Sequence, residues 1–189
     1  MRNLHLIFVL VTGLLPFVAI QAAPADLPET GQVTCYDAAG ATIACTGTRQ
    51  DGDLKAGVAW PTPRFSVITG AACVTDNLTG LMWVSTPSVT AATWTAALTS
   101  ANDLTLCGFT DWRLPNVNEI ESLVNSEVAS QATFLNTQGF TGVQANYYWS
   151  SSTYGGNATA AWIISMNTGS VESTVKANSY YVWPVRAGQ

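Results

Sequence analysis

Histidine is all but missing from this chain, which holds one, His5, in its opening stretch. Past residue 22 there is none, which excludes Ser-His-Asp and Cys-His nucleophile systems and His-ligated zinc there. Charge is scarce too, at 10% of residues. The cations past residue 22 are scattered (Arg49, Lys55, Arg64, Arg113, Lys176 and Arg186) and are outnumbered by acids. Neutralising a phosphate backbone takes a cluster of Lys and Arg, so nucleic acid is excluded as a partner. The same dispersion predicts weak binding to heparin at physiological salt, where the Debye length is about 8 Å. No CxxC spacing supports a thiolate zinc site, and no dedicated calcium loop is present. Asp76-Asn77 and the pair Asp51 and Asp53 could offer oxygen ligands, but read as turn residues. Glu119 and Glu121 point to different helix faces and cannot form a paired-carboxylate site. The expectation is a protein that is not an enzyme, with no cofactor and no metal.

What is present begins with Arg2, an apolar run from Leu6 to Ile20, and small residues at Ala22 and Ala23. That is the layout of a secretory signal peptide covering residues 1–22. The run carries Gly13 and Pro16 and is short of the roughly 20 residues needed to span a bilayer. No second apolar run follows, so the exported chain is expected not to span a membrane and to be secreted, periplasmic or at the cell surface. Four cysteines remain, Cys35, Cys45, Cys73 and Cys107. An even count in an exported chain reads as disulfides. Three pairings are possible; the local one, Cys35–Cys45 with Cys73–Cys107, is favoured.

Residues 23–64 are rich in Gly, Ala, Thr and Pro and read as an irregular leader, with a small hairpin around Gly40 between Cys35 and Cys45. Leu27-Pro28-Glu29-Thr30-Gly31 matches a sortase signal, but such a signal acts near a C-terminus, so the match is chance. From residue 65 to 189 the pattern tightens into one domain. Phe65–Ile68, Cys73–Asp76 and Leu81–Val84 are short β-branched or aromatic runs between turns, hence strands. Trp94, Ala97, Leu98, Ala101 and Leu104 repeat at helical spacing. Asn116 followed by Glu119 is a capping-box start for a second helix, with Ile120, Leu123 and Val124 facing the core. Ala160–Met166 and Ser170–Lys176 flank Asn167-Thr168-Gly169, a hairpin signal, and Tyr181–Arg186 reads as a closing strand. Strands, two helices, then strands make the class α+β, with two helices packed on short antiparallel strands and stapled by disulfides.

Thr75-Asp76-Asn77-Leu78-Thr79-Gly80-Leu81-Met82-Trp83, then Asp111-Trp112-Arg113-Leu114-Pro115-Asn116-Val117-Asn118-Glu119, then Tyr148-Trp149-Ser150-Ser151-Ser152 and the final Val185-Arg186 resemble one family. It is named for the C-terminal domain of the Legionella collagen-like adhesin. Leader segments such as Cys35-Tyr36-Asp37 and Trp60-Pro61-Thr62-Pro63-Arg64 are similar to bacterial members as well. The resemblance implies a C-type-lectin-like fold, related to formylglycine-generating enzymes and to the variable proteins of diversity-generating retroelements. In the adhesin the domain is implicated in binding sulfated polysaccharide and in trimerisation. Here there is no collagen-like repeat, and the chain is net acidic, so like charge opposes a sulfated ligand. Formylglycine generation lacks its free cysteine pair if all four cysteines are bonded. Asp111 and Arg113, two apart in an extended segment, share a face. They could serve as an Arg fork for a carboxylate or sulfate, but read as a structural ion pair beside the second helix.

Five of the six tyrosines fall between Tyr147 and Tyr181, interleaved with Asn and Ser. Such a surface resembles a binding paratope, because Tyr offers wide contact at low entropy cost; core packing of the same rings is the alternative. With period two, Tyr147 and Trp149 share a face and Tyr148 lies opposite. Trp149, inside the family motif, is taken as core and Tyr148 as outward. The expected ligand-binding residues are therefore Tyr148, Tyr154, Asn157, Asn178 and Tyr180. The expected function is a non-catalytic, adhesin-like binding module for a polysaccharide or a surface protein. The alternative is a structural or assembly subunit of an envelope or extracellular oligomer, with a homotrimer possible.

Overall fold

β-branched and aromatic runs between glycine turns form strands where the sequence predicts them, and they pair with their nearest neighbours. The computed structural model describes residues 27–68, 70 and 72–188; the signal-peptide reading of residues 1–22 lies outside the described residues. The leader carries a ribbon of β1 (Cys35–Tyr36) and β2 (Thr42–Ile43) and a short α1 (Asp51–Leu54). Then come β3 (Phe65–Val67), β4 (Cys73–Asp76), β5 (Leu81–Val84), β6 (Ala92–Thr93), α2 (Trp94–Asn102), α3 (Val117–Glu121) and α4 (Gln131–Asn136). The chain closes with β7 (Tyr147–Thr153), β8 (Ala160–Ser165), β9 (Val171–Val175), β10 (Ser179–Tyr180) and β11 (Val185–Ala187). Two antiparallel sheets dominate, in the orders β11-β5-β4-β3 and β7-β8-β9, and β10 pairs with β6. The result is a mixed fold, mostly strand.

The predicted closing strand Tyr181–Arg186 does not form as one piece. The chain leaves β10 after Tyr180, makes a single parallel bridge from Tyr181 to Tyr148 of β7, and joins the four-stranded sheet at Val185, on β5. Between them Val182 is buried in one core and Trp183 in another, so this segment links two packing layers. The larger core holds Trp83, Trp112, Ile120, Leu123, Leu135, Phe140, Tyr148 and Trp183. Its aromatic rings meet edge-on: Phe65 on Phe140 at 5.1 Å, Phe140 on Trp183 at 5.1 Å, and Trp83 on Trp183 at 5.7 Å, the arrangement that ring quadrupoles favour. The smaller core lies under α2, where Ala97 and Ala101 meet Trp149, Ala161 and Ile163. Alanines at these positions let the helix sit close on the tryptophan; Leu104, expected on the same helix, falls past its end and packs against the larger core.

The predicted caps and turns are in place. Asn116 accepts from the Glu119 amide, and Glu119 accepts from the Asn116 amide, completing the capping box of α3. Gly169 closes the β8–β9 turn at φ 83°, a left-handed value that a side chain would oppose. Both favoured disulfides are present, Cys35–Cys45 and Cys73–Cys107. The second ties β4 to the loop after α2. In a chain-entropy account a loop of 34 residues is stabilised by about 3–4 kcal/mol on closure. Replacing Cys73 and Cys107 together by alanine is expected to lower stability by that order in urea unfolding and to speed amide exchange in α2. Unchanged exchange there would show that the staple does not hold the helix.

The leader is fastened to the body by specific bonds. The Ser126 amide donates to the Thr30 carbonyl at 2.9 Å. The Glu127 carboxylate accepts from the Val33 and Thr34 amides at 2.8 and 3.0 Å and from the Thr34 hydroxyl. These donors, led by the hydroxyl, hold the Glu127 carboxyl below its ordinary range. Trp60 donates to the Glu29 carbonyl at 2.7 Å and lies 6.3 Å from Phe134 of α4.

Candidate functional site

β7 is covered on both sides, and this decides the fate of the predicted site. Tyr148 points into the larger core and is fully buried; Trp149 points the other way into the core under α2 and is fully buried too. Tyr148 is thus not an outward residue, which corrects the expectation. Period two places neighbouring side chains on opposite faces, but here both faces are interior. The Tyr148 ring lies 5.4 Å from Tyr181 and 5.5 Å from Trp183, and its hydroxyl accepts from the Gln144 amide at 2.8 Å. Burial pushes its phenol up to about 12.

Three of the other predicted residues do gather, at the end of the sheet where β7 turns into β8 and β9 ends. Tyr154 is half-buried and sets its ring edge-on to Trp162 at 5.0 Å. Asn157 is exposed and organises the turn, its side-chain oxygen accepting from the Thr159 amide at 3.0 Å and hydroxyl at 2.8 Å. Asn178 is exposed and donates from its amide to the Thr174 hydroxyl at 2.8 Å. Lys176 joins them: its ammonium lies 4.0 Å from the centre of the Trp94 ring and donates to the Thr153 hydroxyl at 2.9 Å and the Ala158 carbonyl at 3.0 Å. The Lys176 backbone amide donates to the Thr159 carbonyl, extending the β8–β9 ladder into this end. Trp94 in turn donates from its indole to the Ser150 carbonyl at 2.9 Å. Sequence reasoning missed Trp94 and Lys176 as a pair, because 81 intervening residues hide the contact; a lysine two places before Asn178 was the available signal.

Tyr180 stands apart from that group. It lies at the other end of β7, edge-on to Tyr147 at 5.5 Å and to Trp149 at 5.2 Å. The Tyr147 hydroxyl donates to Glu172 at 3.0 Å, and this bond to a carboxylate holds its phenol above the ordinary value. The predicted five therefore divide into a rim of Tyr154, Asn157 and Asn178, a separate Tyr180, and a core Tyr148.

Asp111 and Arg113 do not pair with each other. Arg113 grips Glu119 with both terminal nitrogens, at 2.7 and 2.6 Å. Asp111 takes Arg186 at 2.7 and 3.1 Å, with the Arg186 guanidinium 3.7 Å over Phe109. Arg186 donation holds the Asp111 carboxyl low. At Glu119 burial pushes upward, but Arg113 and the Asn116 amide outweigh it and the carboxyl is lowered. Arg113 also exchanges backbone bonds with Val185, at 2.9 Å each way, so the motif stitches the second helix to the last strand. Asp76 is fully buried and accepts from Arg64, the Leu78 amide and the Thr79 hydroxyl. Among the described residues no group of three or more His, Cys, Asp or Glu is placed to hold a metal ion, and no helix is long and apolar enough to cross a membrane. A groove of about 550 Å³ runs between the leader and α3, lined by Leu27–Thr30, Asn118 and Glu121 among others; it contains none of the predicted site residues.

The frame is thus a mixed, mainly strand domain with two disulfides, the ion pairs Asp111–Arg186 and Arg113–Glu119, and an aromatic core split by β7. The sequence pattern of the Lcl C-terminal domain matches residues 72–186, and the chain belongs to that family. A comparison with curated proteins finds no match.

Proposed function

We propose that this chain is a non-catalytic extracellular binding module with a C-type-lectin-like fold, and that its ligand is a polysaccharide held at the rim of Tyr154, Asn157, Lys176 and Asn178. One observation carries the reading: two exposed amides and an ammonium sit at one sheet end, held by bonds to neighbouring hydroxyls, a backbone amide and a carbonyl, beside the Tyr154 ring set against Trp162. Fixed polar groups beside aromatic faces suit sugar rings, whose hydroxyls take hydrogen bonds while their C–H faces lie on π surfaces. A single rim cation suits a neutral or sparsely charged chain better than a densely sulfated one. Two disulfides fit an oxidising compartment, which supports export.

A polysaccharide array on the chain purified with its disulfides intact tests this. Tyr154→Ala and Asn178→Ala are expected to weaken binding at least tenfold, about 1.4 kcal/mol. Asn178→Ala should leave the melting temperature nearly unchanged, because an exposed side chain with one hydroxyl contact contributes little to folding. Binding that survives both substitutions would move the site elsewhere; a wild-type protein silent across the array would remove the polysaccharide reading.

A further inference from the structure

The outer edge of β9 belongs to a strand pair that the single chain does not complete. In the order β7-β8-β9, β9 has β8 on one side and, among the described residues, no strand on the other. Two bonds set the phase of the ladder: the Ser165 amide donates to the Ser170 carbonyl, and the Lys176 amide to the Thr159 carbonyl. Even-numbered residues of β9 therefore bond to β8, and Val171, Ser173 and Val175 turn their amides and carbonyls outward. The Val175 carbonyl takes the Asn178 amide at 3.0 Å; the outward groups of Val171 and Ser173 have no backbone partner among the described residues. Ser173 is exposed, and Val175 is 46% exposed, a high value for valine in a strand.

An open edge is a template for another strand, and the order of residues here says which. Val171-Glu172-Ser173-Thr174-Val175 reads with the same valine spacing from either end of Ser173. We propose that β9 of one copy pairs antiparallel with β9 of a second copy about a two-fold axis through Ser173. In that register each Ser173 amide donates to the other copy's Ser173 carbonyl, and each Val171 faces Val175 of the second copy. The half-exposed valines then cover each other. Glu172 comes opposite Thr174 of the second copy and diagonal to its Glu172, so the one charge within β9 adds no attraction across the axis. A charge on an edge ordinarily keeps it single; here the valine cover has to outweigh the two Glu172 side chains, which limits the strength of the contact. A two-fold contact uses the same surface on both copies, as closed dimers do. One strand pair buries less than the roughly 1,200 Å² of a stable interface, which makes the association weak and concentration-dependent.

Sedimentation equilibrium of the full exported chain, run from micromolar to millimolar concentration, tests this. The expected result is a mass rising from one copy toward two and no further. Ser173→Pro removes an outward amide without touching the β8 ladder, which an edge strand tolerates; it should remain single with its melting temperature close to wild type. If that variant fails to fold, Val175→Lys serves, replacing an exposed valine of the shared ladder by a charge and weakening association at least tenfold. A wild type that stays single at millimolar concentration overturns the proposal. So does a trimer, or a dimer that persists in Ser173→Pro or, where that variant does not fold, in Val175→Lys.

Discussion

Arg64→Ala is expected to cost about 3–5 kcal/mol in urea unfolding, the loss that follows when one partner leaves a buried ion pair. The Arg64 and Asp76 side chains are 3% and 0% exposed, and their atoms meet at 3.2 and 3.1 Å. The guanidinium also donates to the Ser122 carbonyl at 2.5 Å and lies 4.2 Å from the Trp60 ring and 4.7 Å from the Phe65 ring. Truncation strands a carboxylate in the core and removes the clasp between the leader, β4 and the end of α3. Lysine does not restore it, since a point charge cannot reproduce the planar fork. Removing both charges in Arg64→Met with Asp76→Asn is expected to regain much of the loss. The amide oxygen still accepts from the Leu78 amide, its nitrogen can donate to the Thr79 hydroxyl, and no unpaired charge is left. A single-variant loss below about 1 kcal/mol, the size of a surface pair, would show that the site is open to water in solution.

Tyr148→Ala and Trp149→Ala are both expected to destabilise by roughly 3–5 kcal/mol, the usual cost of emptying a buried aromatic site. The pair of results separates a strand buried on both faces from one buried on a single face, where the outward ring would be removed at little cost. Tyr148→Phe keeps the ring and loses the hydroxyl that accepts from Gln144, for about 1 kcal/mol. Alkaline titration gives an independent reading. The Tyr148 phenol is raised in the folded chain from 10.0 to about 12, so it favours the folded state while both states are protonated. That contribution is complete below the unfolded value and is lost as pH rises through the folded one. Ultraviolet titration should show the Tyr148 phenol ionising only together with unfolding. A Tyr148 that ionises near pH 10 in a folded protein would place the residue at the surface.

What could be read in the sequence was whatever local chemistry decides. Cys73–Asp76 and Leu81–Val84 form strands with the predicted limits because β-branched and aromatic side chains fit a pleated surface, and Asn116–Glu119 closes its capping box within one turn. Both disulfides join cysteines close in sequence. The unread parts depend on partners far along the chain. α4 is six residues long, too short for a helical period, and is held by the buried Gln131 side chain, which bonds to Asn125. β6 and β10 have two residues each and exist because they meet. Alternation along Tyr147–Trp149 gave the two faces correctly but not the cover on each. Asn157 and Asn178, expected on a ligand face, are exposed; Lys176 on Trp94 was not legible, because a cation–π contact leaves no spacing signal.

The four-stranded sheet also has a mechanical reading. β3 and β11 are its two edges, and successive antiparallel pairing brings Phe65, Asp76, Leu81 and Ala187 to the same end. Tension applied between the start of β3 and the end of β11 therefore peels the edges, breaking ladder bonds one after another instead of loading a whole strand in shear. Forced rupture is governed by the rate of unfolding, so the edge bonds and the Asp111–Arg186 clamp set the force at which this sheet begins to yield. The β7–β9 hairpins lie off that line and are reached only after the edges have gone.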